Sequence, residues 1–300
     1  MSLEITLGPL LFNWAPEDIA GFYERMSREP LVRRVYLGEV VCGKREPLAA
    51  ATLLAAADVL RDAGKEVVWS TLGLIATPRD RRLLQGITQQ DEPSLLELND
   101  IAALSLLPAG RSFVAGPLLN IYNGSAARFL VDRGCERLCP NIELSLAAIG
   151  EIHRACPDLQ VELFGFGRLP LALSARCHHA RQAGLSKDTC RFVCDRDPDG
   201  QAVATIEGEP FLSINGIQTL SHGVHTLSAS PDDLQAAGVG AVRLSPHLCD
   251  MSAVIAAYGR YFETGDRGRL LAQLRACDLP GPLVDGYLEG AAGMRLAAAL

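Results

Sequence analysis

Short β-rich runs alternate with amphipathic helical stretches along most of this chain, and that alternation limits the fold more than any other feature. Runs at Ile5–Phe12, Arg34–Leu37, Glu66–Thr71, Leu95–Leu98, Ser112–Leu118, Arg137–Leu144, Gln160–Phe164 and Ala241–Leu244 read as strands. Several carry Val, Leu, Tyr or Phe on both parities, as strands buried on two faces require. Between them, Ile19, Phe22, Tyr23 and Met26 follow Pro16 at helical spacing, and an Ala-rich segment from Pro47 to Ala63 stops at Gly64. Helices are also expected over Pro78–Gln89, Ser125–Asp132, Leu146–Ala155 and Ser252–Phe262. Alternation of this kind implies right-handed crossovers and a parallel sheet. Eight such units within about 260 residues match the size of a closed (β/α)8 TIM-like barrel. A doubly wound open sheet is the alternative, weakened because no GxGxxG follows the first strand.

The rhythm breaks once. Between Phe164 and Ala241 lie roughly 75 residues, far more than a barrel connection needs. We read residues 165–240 as an insertion after strand seven, at the mouth where barrel sites lie. It contains a polar turn at Asp195–Gly200 and two β-like runs, Val203–Ile206 and Phe211–Ile214. Residues 264–300 read as a helical tail broken at Pro280, Gly281 and Pro282, and residues 1–300 as a single barrel-like domain. No internal repeat beyond the βα unit is visible.

Polar residues collect just past the expected strands: Glu39, Thr71, Asn99, Asp100, Asn120, Tyr122, Asn123 and Ser245, with Glu143 near the end of strand six. As a group they suit a polar cavity for a small oxygenated ligand. Individually, about half are expected to be ordinary helix caps and loop residues.

Charge narrows the partners. The 28 Lys+Arg against 35 Asp+Glu give a net charge of −7, which disfavours nucleic acid as a principal ligand. With 48% hydrophobic residues the chain is globular rather than disordered. The longest Ala/Leu-rich stretch, Leu48–Leu60, is too short and too charged at its flanks to span a bilayer. The start Met1-Ser2-Leu3-Glu4 lacks a basic leader, so the expected location is the cytoplasm.

In that reducing compartment the nine cysteines are metal ligands, reactive thiols or packing residues rather than disulfides. Cys42 follows strand two, and Cys177, Cys190 and Cys194 lie in the insertion. The barrel would bring all four to one rim. Four thiolates at one point form the ligand set of a [4Fe–4S] cluster or a four-cysteine zinc site. His178 and His179 make a site of three cysteines and one histidine conceivable. Composition leaves iron and zinc about equal. Cys135, Cys139, Cys156, Cys249 and Cys277 read as packing residues.

The segment from Glu162 to Cys177, containing Gly165-Phe166-Gly167-Arg168-Leu169-Pro170, resembles the signature region of the collagenase-like peptidase family of unknown catalytic type. The stretch Tyr36-Leu37-Gly38-Glu39-Val40-Val41-Cys42-Gly43-Lys44-Arg45 adds a resemblance to one branch, as do Asn215-Gly216-Ile217-Gln218-Thr219 and Val242-Arg243-Leu244-Ser245-Pro246. That branch acts with a UbiU-like partner, as a heterodimer, in oxygen-independent ring hydroxylation of a ubiquinone precursor. The resemblance implies a barrel-like fold and a [4Fe–4S] cluster held by Cys42, Cys177, Cys190 and Cys194, which favours iron over zinc. It also implies that the complex, in anaerobic cells, takes the precursor as a small-molecule substrate.

One departure separates the chain from peptidase-type members: a His-Gly pair there corresponds to Phe166-Gly167 here. No Ser/His/Asp or Cys/His set supports proteolysis. A peptidase, an RNA-hydroxylation factor and a scaffold with a structural metal are the competing functions. Arg168 and Arg176 either pair with a carboxylate or brace the insertion. Gln201–Ser230, with Phe211, Leu212 and Ile214, is the expected partner-facing surface.

Overall fold

The computed structural model describes residues 3–89 and 94–297. Along the chain come β1 (Glu4–Leu7), α1 (Pro16–Ser27), β2 (Val32–Leu37), α2 (Glu46–Asp62), β3 (Glu66–Ser70), α3 (Pro78–Thr88) and β4 (Leu96–Leu98). Then follow β5 (Phe113–Ala115), α4 (Gly124–Val131), β6 (Cys135–Leu138), α5 (Leu146–Ala155), β7 (Gln160–Leu173) and α6 (His178–Gln182). The remainder is β8 (Gln201–Ala204), β9 (Pro210–Asn215), β10 (Gln218–His225), α7 (Pro231–Ala236), β11 (Val239–Leu244), α8 (Met251–Thr264), α9 (Arg267–Arg275) and β12 (Leu283–Val284). Strands β1 to β7 pair in order and in parallel, and β11 pairs with both β7 and β1. The barrel is therefore closed, with eight parallel strands, as the alternation predicts.

Local chemistry sets the helices. Pro16 opens α1, which buries Ile19, Phe22, Tyr23 and Met26 against the barrel; each apolar side chain so buried contributes about 1.5–3 kcal/mol. Thr77 and Asp80 form a reciprocal capping box at the start of α3, worth about 1 kcal/mol.

The strands are shorter at their C-terminal ends than the apolar runs suggest. Leu10–Phe12, Pro117–Leu118 and Pro140–Leu144 leave the ladder and build the mouth. Proline explains the early stop. Gly8, Gly116, Cys139 and Ser245 each donate a last backbone N–H to a neighbouring strand, to the carbonyls of Leu244, Leu98, Ala115 and Phe166 respectively. Pro9, Pro117, Pro140 and Pro246 come next, and having no N–H they cannot continue the ladder.

The barrel interior carries an ionic network beside a small apolar cluster of Tyr36, Val68 and Val114. Arg243 on β11 donates Nε to Glu162 Oε1 at 2.7 Å and Nη1 to Glu97 Oε1 at 2.5 Å, and its guanidinium lies 3.9 Å over the Tyr36 ring. Glu162 also accepts from Thr6 at 2.7 Å, Tyr36 at 2.6 Å and Arg137 at 3.1 Å. Arg137 reaches on to Glu4, and Ser70 and Asn99 complete the Glu97 carboxylate. Burial of two carboxylates is tolerable because nearly every lone pair has a donor.

β7 belongs to two sheets. Through Phe166 it pairs with β11 in the barrel, and from Gly167 to Leu173 it pairs antiparallel with β10. Gly167 marks the change of sheet with φ +122°, and a Cβ there would stand 2.7 Å from the Ser245 Cβ; only glycine fits that turn. β10, β9 and β8 continue as an antiparallel extension beside the mouth. Of the residues read as an insertion, 165–173 are thus the outer half of β7, and Pro231–Ala236 form the barrel helix α7.

The tail is helical only as far as Arg275. Beyond Pro282, Leu283 and Val284 pair with β10, and residues 298–300 lie outside the described residues, as do Met1 and Ser2. Among the described residues, no helix is long and apolar enough to cross a membrane.

Candidate metal centre

Cys42, Cys177, Cys190 and Cys194 line one cleft beside the barrel mouth, and all four are free thiols. Cys42 sits in the turn after β2, whose backbone is held by Glu39: its carboxylate accepts from the N–H groups of Val41 and Cys42 at 2.8 Å each. Cys177 is the N-cap of α6, and its sulfur accepts from Ala180 N at 3.4 Å. Between Cys190 and Cys194, Arg191 and Phe192 both adopt left-handed backbone, with φ of 49° and 57°. Two consecutive non-glycine residues in that region store strain of about 1–3 kcal/mol each. The strained turn sets both thiols towards the same cleft.

The turn expected at Asp195–Gly200 is held from three sides. His179 Nε2 meets Asp197 at 3.1 Å, Trp14 Nε1 donates to the Pro198 carbonyl at 2.7 Å, and His247 Nδ1 meets Asp199 at 2.9 Å. Both imidazoles accept a backbone N–H on their other nitrogen, from Gly216 and Arg168 respectively. Each therefore carries its proton on the nitrogen facing the carboxylate. His179 is thus occupied as a structural bridge; burial lowers its pKa, an effect that Asp197 opposes.

Arg45 sets the charge of the cleft. It is 2% exposed, and it donates Nη1 to the Leu11 carbonyl at 3.0 Å and Nη2 to Asn215 Oδ1 at 2.7 Å. Its Nε has no partner. Burial pushes the Cys42, Cys177 and Cys194 thiols above their ordinary values, and Arg45 acts against that shift in all three. Asn13 adds an amide donor 3.7 Å from the Cys194 sulfur. Arg45 faces the Glu39 carboxylate as well as the Cys194 and Cys42 thiols, and a buried guanidinium beside thiols suits a thiolate-bound group.

Among the described residues, no three His, Cys, Asp or Glu side chains gather closely enough to hold a metal ion; the four thiols border one common cleft.

The other expected site residues divide. Asn99 and Ser245 line a cavity at the barrel mouth, and Thr71 accepts from Asn99 N. Asp100 and Asn123 are helix caps, Asn120 accepts from Asn141, and Tyr122 bonds Glu143 near the surface. Arg168 braces the extension, donating to the carbonyls of Ser221, His222 and Pro280; Arg176 is exposed. Cys135 and Cys139 are buried in and beside β6, where burial raises both thiols to about 12. On the expected partner surface Phe211 is exposed, but Ile214 is buried and Leu212 half-buried, because β9 packs that face inward.

A family model described as peptidase family U32 matches residues 28–269. Among curated proteins, the chain is 32% identical over 78 residues to tRNA hydroxylation protein P of Escherichia coli, covering 25% of this chain and 17% of that one. It is 26% identical over 134 residues to the protein of the same name in Haemophilus influenzae, covering 38% and 29%. The match spans less than a third of the length of either relative.

Proposed function

We propose that this chain, which belongs to peptidase family U32, is a UbiV-like iron–sulfur protein of an oxygen-independent hydroxylation system. A [4Fe–4S] cluster is held by Cys42, Cys177, Cys190 and Cys194, and the observation that carries this reading is their shared cleft with buried Arg45. Such a cluster supplies electron transfer or Lewis acidity. The protein's own groups hold it in place: the strained Arg191–Phe192 turn aims two ligands, N–H donors from Ala180 and Asn13 stabilise thiolate sulfur, and the Arg45 charge acts beside them. The complex acts in the cytoplasm with a UbiU-like partner on a ubiquinone precursor. Relatives named for tRNA hydroxylation support hydroxylation as the shared chemistry, and they favour one second reading, an RNA substrate, against which the net charge of −7 counts.

Iron and sulfide analysis of anaerobically purified protein tests the cluster. Near-equal iron and sulfide are expected, lost on Cys42→Ala, Cys177→Ala, Cys190→Ala or Cys194→Ala and retained on Cys135→Ala and Cys139→Ala. Colourless, zinc-containing protein from anaerobic cells overturns the reading. Size-exclusion without oxygen should show a one-to-one complex with the UbiU-like chain. Anaerobic turnover of a polyprenylated phenol against unmodified tRNA separates the two substrates.

A further inference from the structure

A second site lies at the barrel mouth, apart from the thiol cleft. Its cavity is bounded by Gln218, Arg243, Asn99 and Ser245, with Leu11 and Phe164 among the apolar walls. Two of these side chains, Arg243 at 2% exposure and Gln218 at 0%, each keep an N–H group without a partner: Arg243 Nη2 and Gln218 Nε2. An unpaired buried donor costs about 1–3 kcal/mol. Two such donors around one cavity mark a place for an acceptor oxygen.

The Gln218 amide orientation is fixed from a distance. Arg45 can only donate, so Asn215 must turn Oδ1 towards it, at 2.7 Å. Asn215 Nδ2 then donates to the Leu11 carbonyl at 2.6 Å and to Gln218 Oε1 at 3.2 Å. With Oε1 so engaged, the NH2 end of Gln218 is the one left for a ligand. The same chain runs back through Arg45 to the thiol cleft.

Charge decides what kind of oxygen fits. Arg243 and Arg137 already face Glu97, Glu162 and Glu4. An anion entering here would find no uncommitted cation and would carry the full desolvation cost of burial. The cavity as a whole has room for about one water-sized group, so a ligand enters it by its oxygen end alone. We propose that the barrel mouth binds a neutral oxygen-bearing small molecule, a ketone or ring hydroxyl, whose oxygen accepts from Gln218 Nε2 and Arg243 Nη2, and that Gln218–Asn215–Arg45 conveys its presence to the thiol cleft. The binding site stands without a cluster; only the coupling rests on the function proposed above.

Acetone and acetate share a shape and differ in charge, which makes them the test pair. In nitrogen-15 spectra the Gln218 side-chain amide is identified by its loss in Gln218→Met or, should that variant not fold, in the isosteric Gln218→Glu. Acetone is expected to move that signal saturably in iron-free and iron-containing protein alike, and acetate to leave it in place. Movement by acetate alone, or by neither, overturns the site. In cluster-containing protein reduced with dithionite to the paramagnetic state, acetone should also shift the electron paramagnetic resonance spectrum, and Asn215→Asp, which still accepts from Arg45 but no longer donates to Gln218, should abolish that shift. Acetone binding with an unchanged cluster spectrum in the wild type overturns the coupling. Protein that never takes up iron refutes the proposed function, while the acetone result still decides the mouth site.

Discussion

Lys44 Nζ lies 2.7 Å from the carbonyl oxygen of Lys187, and 2.9 Å from that of Asp188, so the loop bearing Cys42 is fastened directly to the loop bearing Cys190. The same ammonium sits 5.9 Å from the Phe192 ring centroid. Residues about 140 positions apart in sequence thus close the cleft from opposite sides through one side chain.

Replacing that fastener should loosen metal retention before it affects the fold. Lys44→Met keeps the aliphatic stem and removes the charged donor, at about 1–2 kcal/mol. The expected outcome is faster bleaching in air, several-fold, with the thermal midpoint of iron-free protein lowered by only a few degrees. Equal bleaching rates in variant and wild type would show that the loops are held by other means.

Arg191 is exposed and left-handed, so glycine suits its backbone better. Arg191→Gly should stabilise the iron-free protein by up to about 1 kcal/mol, read from urea unfolding, without altering iron content. A loss of iron would mean that the arginine side chain, rather than its backbone, holds the turn.

The ionic barrel core predicts a graded series. Tyr36→Phe removes one hydrogen bond to Glu162 and should cost about 1.5–3 kcal/mol. Arg243→Met leaves Glu97 with no cation and Glu162 with Arg137 alone, and should cost about 3–5 kcal/mol. Denaturant midpoints give the order, and an Arg243→Met protein as stable as wild type would contradict the placement of that charge.

Acid sensitivity should come in two stages. Burial lowers the His225 pKa to about 4, from 6.5. The unfolded chain therefore takes up this proton first, and stability held above pH 6.5 drains away as pH falls towards 4. Burial alone would raise the Glu162 pKa, yet Arg243, Arg137 and the Tyr36 hydroxyl outweigh it and hold the group at about 2, from 4.5. Its contribution is complete above pH 4.5 and lost between there and pH 2. Unfolding free energy measured against pH should fall through both windows, and His225→Leu should flatten only the upper one.

The barrel is legible in the sequence because two-sided burial forces apolar runs of strand length, and eight of them recur with helices between. The strand ends are less legible: Leu10–Phe12 and Ile142–Leu144 are as apolar as the strands, and only Pro9 and Pro140 betray that the ladder has stopped. Cys42, Cys177, Cys190 and Cys194 stand out by residue type once a barrel is assumed. Arg45, Asn215 and Lys44 do not, since their roles depend on contacts across 140 residues or more. Glu97, Glu162 and Arg243 did leave a trace, each a lone charge inside an apolar triplet: Leu96-Glu97-Leu98, Val161-Glu162-Leu163 and Val242-Arg243-Leu244. A charge so placed on a strand buried on both faces has to find its counter-ion inside the barrel.

The proline that follows β1, β5, β6 and β11 at the same distance also separates two kinds of inheritance. Below it, hydrogen-bond register ties every residue to its neighbours, and a single insertion would turn a whole strand inside out. Above it the backbone owes nothing to the ladder, so the rim can lengthen, shorten or acquire new side chains while the staves stay aligned. A lineage built on this barrel can therefore change what it holds at its mouth without relearning how to fold.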